Sequence, residues 1–379
     1  AYARQQELGA VFGLNYGWEH PAYFDADTPD SAGFTRQPWF DSVGTECKML
    51  RQAAGIIDIS NFAKYICKGA NAADWLNAVF ANNMPKAIGR SCLTPLIGVR
   101  GGVAGDFTVT RLAEDEFMVI GSGMAERYHQ RFWKEVPLPE GTTFESHTEA
   151  MCGFNIAGPL SRKLLQKLTN ANLSTEAFPF MRSQRIEIAG VAVVALRVSF
   201  TGDLGWELHC VEADQSRLYA ALLDAGQDLG AGPVGSRALM SLRVEKGYGS
   251  WGREYSPEYW PQEVALDRLI KTEKEFLNKS SYIALKDNAP REVLSLIHVQ
   301  DVSNADATGG EPVFLPDGTP VGRVTSGTYG YTVGMSLALG YLKGVSAGDA
   351  VDVMILGIPH RGVVLAEPPF DPKGERLRA

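Results

Sequence analysis

Two carboxylates stand in this chain where chemistry is within reach. Asp106 lies in GGVAGDFTVTR (residues 101–111), a run that opens in glycines and closes in strict alternation. In an extended strand Asp106, Thr108 and Thr110 share one face, and Phe107 and Val109 take the other. Asp106 therefore leads the polar face at the point where turn becomes strand. Neighbouring glycines remove side-chain bulk and let a ligand approach the backbone, although such an aspartate also suits an Asx-turn. Glu207 lies in SFTGDLGWELHCV (199–211), again after a glycine-containing turn. Trp206, Leu208 and Cys210 fall on one face there, with Glu207 and His209 on the other. A buried glutamate stays charged only if it meets donors. A heterocycle with two adjacent N–H groups would supply them; a solvated strand glutamate is the alternative.

A third stretch, GSRALMSLRVEKGYGSWGREY (235–255), sets Arg237, Leu239, Leu242, Arg243 and Lys246 on a helix that ends in glycines and aromatics. Arginine suits bidentate recognition of a carboxylate, and equally an intramolecular ion pair. The five cysteines, Cys47, Cys67, Cys92, Cys152 and Cys210, are scattered without a CxxC pair. That spacing argues against a disulfide framework or a zinc knuckle and fits a reducing compartment. His209 and Cys210 point to opposite faces of a strand and cannot share a metal, so no metal site is expected.

The elements that must position these residues follow from periodicity. TECKMLRQAAGIIDIS reads as a helix capped at Thr45 and then a short strand, KYICKG as a strand, and NAADWLNAVFANN as a helix burying Trp75, Leu76, Val79 and Phe80. Residues 90–123 read as a meander: a strand over 92–97, the glycine turn, a strand from Asp106, a turn at Glu114–Asp115 and a strand from Glu116. SGMAERYHQRFWKEV follows as a helix. A second unit runs from MCGFNIAGPLSRKLLQKL through RIEIAG, VAVVALRVSF and the Glu207 strand to a helix at DQSRLYAALLDAGQDLG. After a linker at NKSSYIALKDNAPRE (278–292), short Val- and Thr-rich strands with turns at Pro316–Asp317–Gly318 and Ser326–Gly327 predict a small all-β barrel.

With 379 residues the chain has room for several cores, and 45% hydrophobic with 21% charged residues is globular composition. A net charge of −8 without a basic block argues against nucleic acid. No apolar run approaches the ~20 residues of a membrane span, and no signal peptide is read at the N-terminus, so a cytoplasmic chain, or one of the mitochondrial matrix if eukaryotic, is expected. An opening Ala1 in place of Met is read as a processed product or a segment of something longer.

Five motifs in order resemble the folate-binding aminomethyltransferase family of the glycine cleavage T-protein: GIIDISNF (55–62), GGVAGDFTVTR, SFTGDLGWEL, SRALMSLRVEKGYGSWGRE and PVGRVTSGTYGYTVGMSLALGYL (320–342). GSGM (121–124) and SWGREYSPEYWP (250–261) are more similar to the C-terminal tetrahydrofolate domain of dimethylglycine and sarcosine dehydrogenases. The resemblance implies an α+β fold of mixed and antiparallel sheets with helices, plus a C-terminal β-barrel. It divides the chain into a connector (1–38), a folate-binding region of two subdomains (39–283), and a barrel with its tail (284–379). GLNYGWEHPAYFDAD (13–27) resembles the segment that follows the flavin portion of those dehydrogenases.

Carried over by position, Asp106 matches the catalytic aspartate beside the folate nitrogens, and Glu207 the glutamate that pairs with the pterin 2-amino and N3 hydrogens. Arg237 takes the place of an arginine suited to the folate's glutamate tail, and Phe62 that of an apolar wall. Phe200, Leu93 and Gly121 replace Tyr, Tyr and Asn of the family pattern, with Ser122 as a substitute for that Asn; Trp251 completes the expected cofactor-binding set. The implied reaction captures the one-carbon unit of an N-methyl amine, released as an imine or iminium, on tetrahydrofolate to give 5,10-methylenetetrahydrofolate. No GxGxxG follows a strand, so no flavin site is expected in this chain, and oxidation falls to a flavin dehydrogenase domain or subunit. Two rivals stand beside this reading. One is a demethylase that moves an intact methyl group from a sulfonium or quaternary ammonium donor, caged by Trp206, Tyr248, Trp251, Tyr255, Tyr259 and Trp260. The other is a folate-binding protein without turnover.

Overall fold

The structure is a computed structural model that describes residues 1–15 and 17–379. Tyr16, inside the segment read as a connector, lies outside the described residues. Two sheets stack at the centre. The five-stranded antiparallel sheet has the order Ser91–Ile97, Val103–Ala113, Glu116–Gly121, Ala63–Lys68, Thr143–Ser146. Its outer face carries Phe107, Val109, Phe117 and Val119, which pack on Trp75, Leu76, Val79 and Phe80 and on Phe132 and Trp133. The helix Ala72–Val79 buries one stripe of side chains, as its spacing predicts. Each large side chain so buried contributes about 1.5–3 kcal/mol.

The six-stranded sheet has the order Ser183–Ile188, Val191–Leu196, Gly205–Val211, Met151–Ala157, Gly55–Asp58, Gly232–Val234. Only its last pair is parallel. Trp206, Leu208 and Cys210 face outward into a core with Phe154, Ile156, Tyr219 and Leu222. Cys210 sits opposite Cys152 in register, Sγ to Sγ 3.3 Å, and both are free thiols.

Between the sheets a separate apolar cluster joins Ile66, Met118 and Ile120 of the first to Leu196 of the second, with Phe62, Val194 and Val198 packed against it. This layer sets the two inner faces against each other. The third body is a closed barrel of six strands, Val293–Val299, Met335–Leu342, Pro320–Gly330, Pro312–Phe314, Ala350–Ile355 and Ile358–Leu365, filled by Ile297, Val313, Val324, Val351 and Val353 among others. No helix among the described residues is long and apolar enough to cross a membrane.

Four local expectations change. The Asp106 strand begins at Val103, because the Val103 amide donates to the Tyr259 carbonyl at 2.9 Å and a bare Gly102 lets the 256–259 segment close in. A Cβ there would stand 2.2 Å from the Pro257 carbonyl oxygen. Asp106 is thus inside the strand and not at its first residue. Thr45 is not a cap: the helix spans Phe40–Gln52, and the Thr45 hydroxyl donates back to the Asp41 carbonyl at 3.0 Å, the bond such residues make inside helices. Ser326–Gly327 lies within the strand Pro320–Gly330, where glycine admits the Ala307 carbonyl, 2.1 Å from a built Cβ. Residues 278–292 are docked instead of forming a free linker: they carry the short helix Lys279–Ile283, Tyr282 is buried, and Asn278 donates to the Ile97 carbonyl at 2.9 Å.

Candidate functional site

Register decides what the inner faces present. Thr108 pairs with Ile120, and Ile120 with Lys64, so these three side chains form one row on the inner face of the five-stranded sheet. Asp106 lies on the same face two residues further along, about 7 Å away. On the other sheet Leu196 pairs with Glu207, Glu207 with Asn155, and Asn155 with Ile57. Ile120 and Leu196 meet in the interlayer cluster. The row that leads to Asp106 and the row that holds Glu207 therefore face the same layer, with Phe62 packed at its side.

The surroundings of the two carboxylates differ. Asp106 is half-buried and has no side-chain hydrogen-bond donor among the described residues. It pairs across the sheet with Pro95, which carries no amide hydrogen. Burial pushes its carboxyl up to about 6, only partly offset by its own backbone N–H. Tyr255 stands close enough to feel it: burial first, then the field of Asp106, raises the Tyr255 hydroxyl well above the ordinary tyrosine range. Glu207 keeps 20% of its side chain exposed, with His209 Nε2 3.4 Å from its Oε2. Fully buried Lys64 lies alongside. Its Nζ donates to the Ser60 and Phe62 carbonyls at 2.8 Å each, and burial pulls it down to about 8 against the opposing fields of Cys152, Asp58, Glu126 and Glu207.

The loop that walls Asp106 is fixed from the barrel side. Arg243 donates to Glu254 at 2.8 Å and to the Ser326 hydroxyl at 2.6 Å, and both members of this ion pair are fully buried. Tyr341 donates to the Glu254 carbonyl at 2.5 Å, and Tyr259 stacks on Tyr341 at 3.6 Å. Removing one partner of such a pair costs about 3–5 kcal/mol, because the other charge is left buried alone. Between these anchors Trp251 packs edge-on to His129 at 5.1 Å and beside Tyr128 at 5.9 Å.

The expected site residues divide accordingly. Asp106 and Glu207 lie on the inner faces of the two sheets, and Phe62 packs against the interlayer cluster. Leu93, 49% exposed, pairs with Thr108 and shares its face. Ser122 follows Gly121, which pairs with Ala63 beside the Lys64 row, and is half-buried. Phe200 stacks on Tyr248 at 6.0 Å, and Trp251 belongs to the Tyr255 loop. Arg237 donates to Asp30 at 2.8 Å and lies over Trp39 and Tyr23 at 4.3 and 5.1 Å, rings of the cluster that Phe62 also packs against. Of the six aromatics proposed to cage a cation, Trp251, Tyr255 and Tyr259 share one apolar cluster, whereas Trp206 lies in the outer core, Tyr248 on Phe200 and Trp260 under Arg291. Lys64, Asn155 and the His209 contact carry no local signal, since each acquires its meaning from strand pairing.

Two cavities open elsewhere. One of about 640 Å³ is lined by Arg36, His298, Tyr329 and Ser336. The other, of about 140 Å³, is lined by Arg100, Gly102, Tyr128, Arg131 and Pro257 at the turn before Asp106. Neither includes Asp106 or Glu207, and Arg36, the fixed cation of the larger one, is already taken by Asp306 at 2.7 Å. The two carboxylates lie instead on the sheet faces that bound the interlayer. In donor type a reduced pterin suits the residues present: Glu207 is an acceptor for N–H groups, and the Oδ1 of buried Asn155 on the next strand has no partner among the described residues.

Comparison with known proteins gives a consistent result. Residues 1–274 match the model of the GCVT N-terminal domain, and residues 293–371 that of the glycine cleavage T-protein C-terminal barrel domain. The chain is 33% identical to mitochondrial dimethylglycine dehydrogenase of Mus musculus, over 94% of this chain and 42% of that protein. It is 29% identical to the aminomethyltransferase of Lysinibacillus sphaericus, over 82% of this chain and 84% of that protein. The chain thus spans less than half the length of the dehydrogenase it matches. In fold it is similar to the crystal structure of glycine cleavage system aminomethyltransferase T from Bartonella henselae, with a TM-score of 0.85 and 22% identity over 98% of this chain and 97% of that one.

Proposed function

The chain belongs to the glycine cleavage T-protein family of folate-dependent aminomethyltransferases, and from that premise we propose that it passes a one-carbon unit from an N-methyl amine of the dimethylglycine or sarcosine kind to tetrahydrofolate. A flavin dehydrogenase domain or subunit oxidises the amine in this reading. The observation that carries it is the placement of Asp106 and Glu207 on facing inner surfaces of two sheets, in a chain of this family. Glu207 holds the ring edge of the folate, Phe62 and Leu93 line its sides, and Asp106 faces the reacting nitrogen. Bound tetrahydrofolate supplies a nucleophilic amine nitrogen.

The work of the chain is then positional and electrostatic. Asp106, ionised, stabilises the positive charge that develops on the one-carbon donor, and a preorganised carboxylate does so without reorganising solvent. With its pKa near 6 it also accepts a proton more readily than an ordinary aspartate. The apolar interlayer of Ile120, Leu196 and Phe62 excludes water that would hydrolyse the imine to formaldehyde.

Calorimetry with tetrahydrofolate is the first test. Absence of binding by the unmodified protein sinks the reading. Product analysis is the second: 5,10-methylenetetrahydrofolate formed with formaldehyde or a flavoprotein partner supports it, whereas 5-methyltetrahydrofolate formed from a methylated sulfonium or ammonium overturns it.

A further inference from the structure

The inner row Leu196, Glu207, Asn155, Ile57 crosses four adjacent strands. Its outer members are apolar, so the polar function of the row resides in two neighbouring side chains. Asn155 is only 4% exposed. Its Nδ2 donates to the Trp206 carbonyl at 3.4 Å, which fixes the amide orientation, because a flipped amide would set oxygen against oxygen. The Oδ1 is left without a partner among the described residues. A buried acceptor in that state costs about 1–3 kcal/mol unless something donates to it, and such groups call for an explanation in the ligand-bound protein. Directly opposed strand residues have Cβ atoms about 4.5–5.5 Å apart, so Glu207 and Asn155 present adjacent acceptors to the same layer.

We infer that Asn155 is a second acceptor for the heterocycle Glu207 holds, taking the hydrogen of its exocyclic amino group that Glu207 leaves free. This rests on the folate reading above. A 2-amino-4-oxopteridine carries three hydrogens along one edge, one on N3 and two on the amino group. A carboxylate satisfies two of them side by side, and the third points past it toward the neighbouring strand. Asn155 thereby makes the site selective for an amino substituent at that ring carbon, a selectivity that a single glutamate supplies only in part.

The test pairs a protein change with a ligand change. Calorimetry compares the unmodified protein, Asn155→Leu and Asn155→Thr, each with tetrahydrofolate and with its 2-desamino-2-methyl analogue. Asn155→Leu, of similar volume and without an acceptor, weakens tetrahydrofolate by about three- to tenfold, the range of a neutral hydrogen bond, and leaves the analogue unchanged. Asn155→Thr, which keeps an oxygen on a good strand former, falls between, and it carries the same comparison should the leucine variant not fold. Equal weakening of both ligands, or no weakening of tetrahydrofolate, overturns the role of Asn155 while leaving the folate reading standing. Failure of the unmodified protein to bind tetrahydrofolate removes both.

Discussion

Asp106 and Glu207 are the same chemical group on opposite sides of one layer, and the protein treats them differently. Glu207 has His209 at 3.4 Å and the buried Lys64 ammonium in its vicinity; Asp106 has no side-chain donor among the described residues, and burial lifts its carboxyl to about 6. A carboxylate already furnished with favourable neighbours suits a constant task, holding a ligand. One that has been desolvated and left unpaired keeps its interaction energy for charge that appears only during a reaction, where it accelerates the chemical step.

The largest effect expected from this contrast is on turnover. Asp106→Asn should lower the rate of one-carbon transfer by about 10²–10⁴-fold with tetrahydrofolate affinity within a factor of about three. Single-turnover kinetics beside calorimetry measures both, and a variant that keeps its rate erases the distinction. In the unmodified protein the rate should fall as pH drops through about 6, and Asp106→Asn should lose that limb.

Glu207→Ala should do the reverse, weakening tetrahydrofolate by about 10–100-fold, the worth of a charge-assisted hydrogen bond. Saturating folate should recover most of the rate. A variant with intact affinity would show that Glu207 does not hold the ligand.

A thermodynamic consequence is smaller and independent of any ligand. Because the folded-state pKa of Asp106 is raised above its unfolded value of about 4, the native state binds the proton more tightly, so stability declines as pH rises from about 4 to 6 and stays lowered above that. Asp106→Asn should therefore unfold later than the unmodified protein at pH 8, by about 1–2 kcal/mol after allowing for partial solvent contact, and the difference should vanish below pH 4. Equal stabilities at pH 8 would mean that the carboxylate is better solvated than its surroundings indicate.

The smallest effect concerns the Glu207 side alone. Lys64→Met should weaken folate by about two- to fivefold and leave the pH profile of Asp106 in place. A shift in that profile would show the two sides to be coupled.

Much of this site was legible from residue order. Alternation at 106, 108 and 110, and at 206, 208 and 210, assigns the strand faces correctly, because side chains alternate by covalent geometry alone. Local punctuation was less dependable. Thr45 looked like a cap, and Ser326–Gly327 like a turn, because those residue types serve both purposes; here helix back-bonding and the close approach of the Ala307 carbonyl won. Arg237 has the right chemistry for a carboxylate, and the structure pairs one of its nitrogens with Asp30, 207 residues away. Arg243, equally open as text, turns out to be the buried anchor of the Tyr255 loop.

The amino-acid order by itself determined two carboxylates on the polar faces of two strands, helices with one apolar stripe each, and a barrel at the end, since each of these depends on neighbours within a few residues. Only the tertiary structure decided that the two polar faces share one layer, that Lys64 and Asn155 join them there, and that three of the six aromatics cluster while the other three lie elsewhere. Those outcomes depend on strand register and sheet stacking between segments many residues apart, and no period within a strand records which partner it will meet.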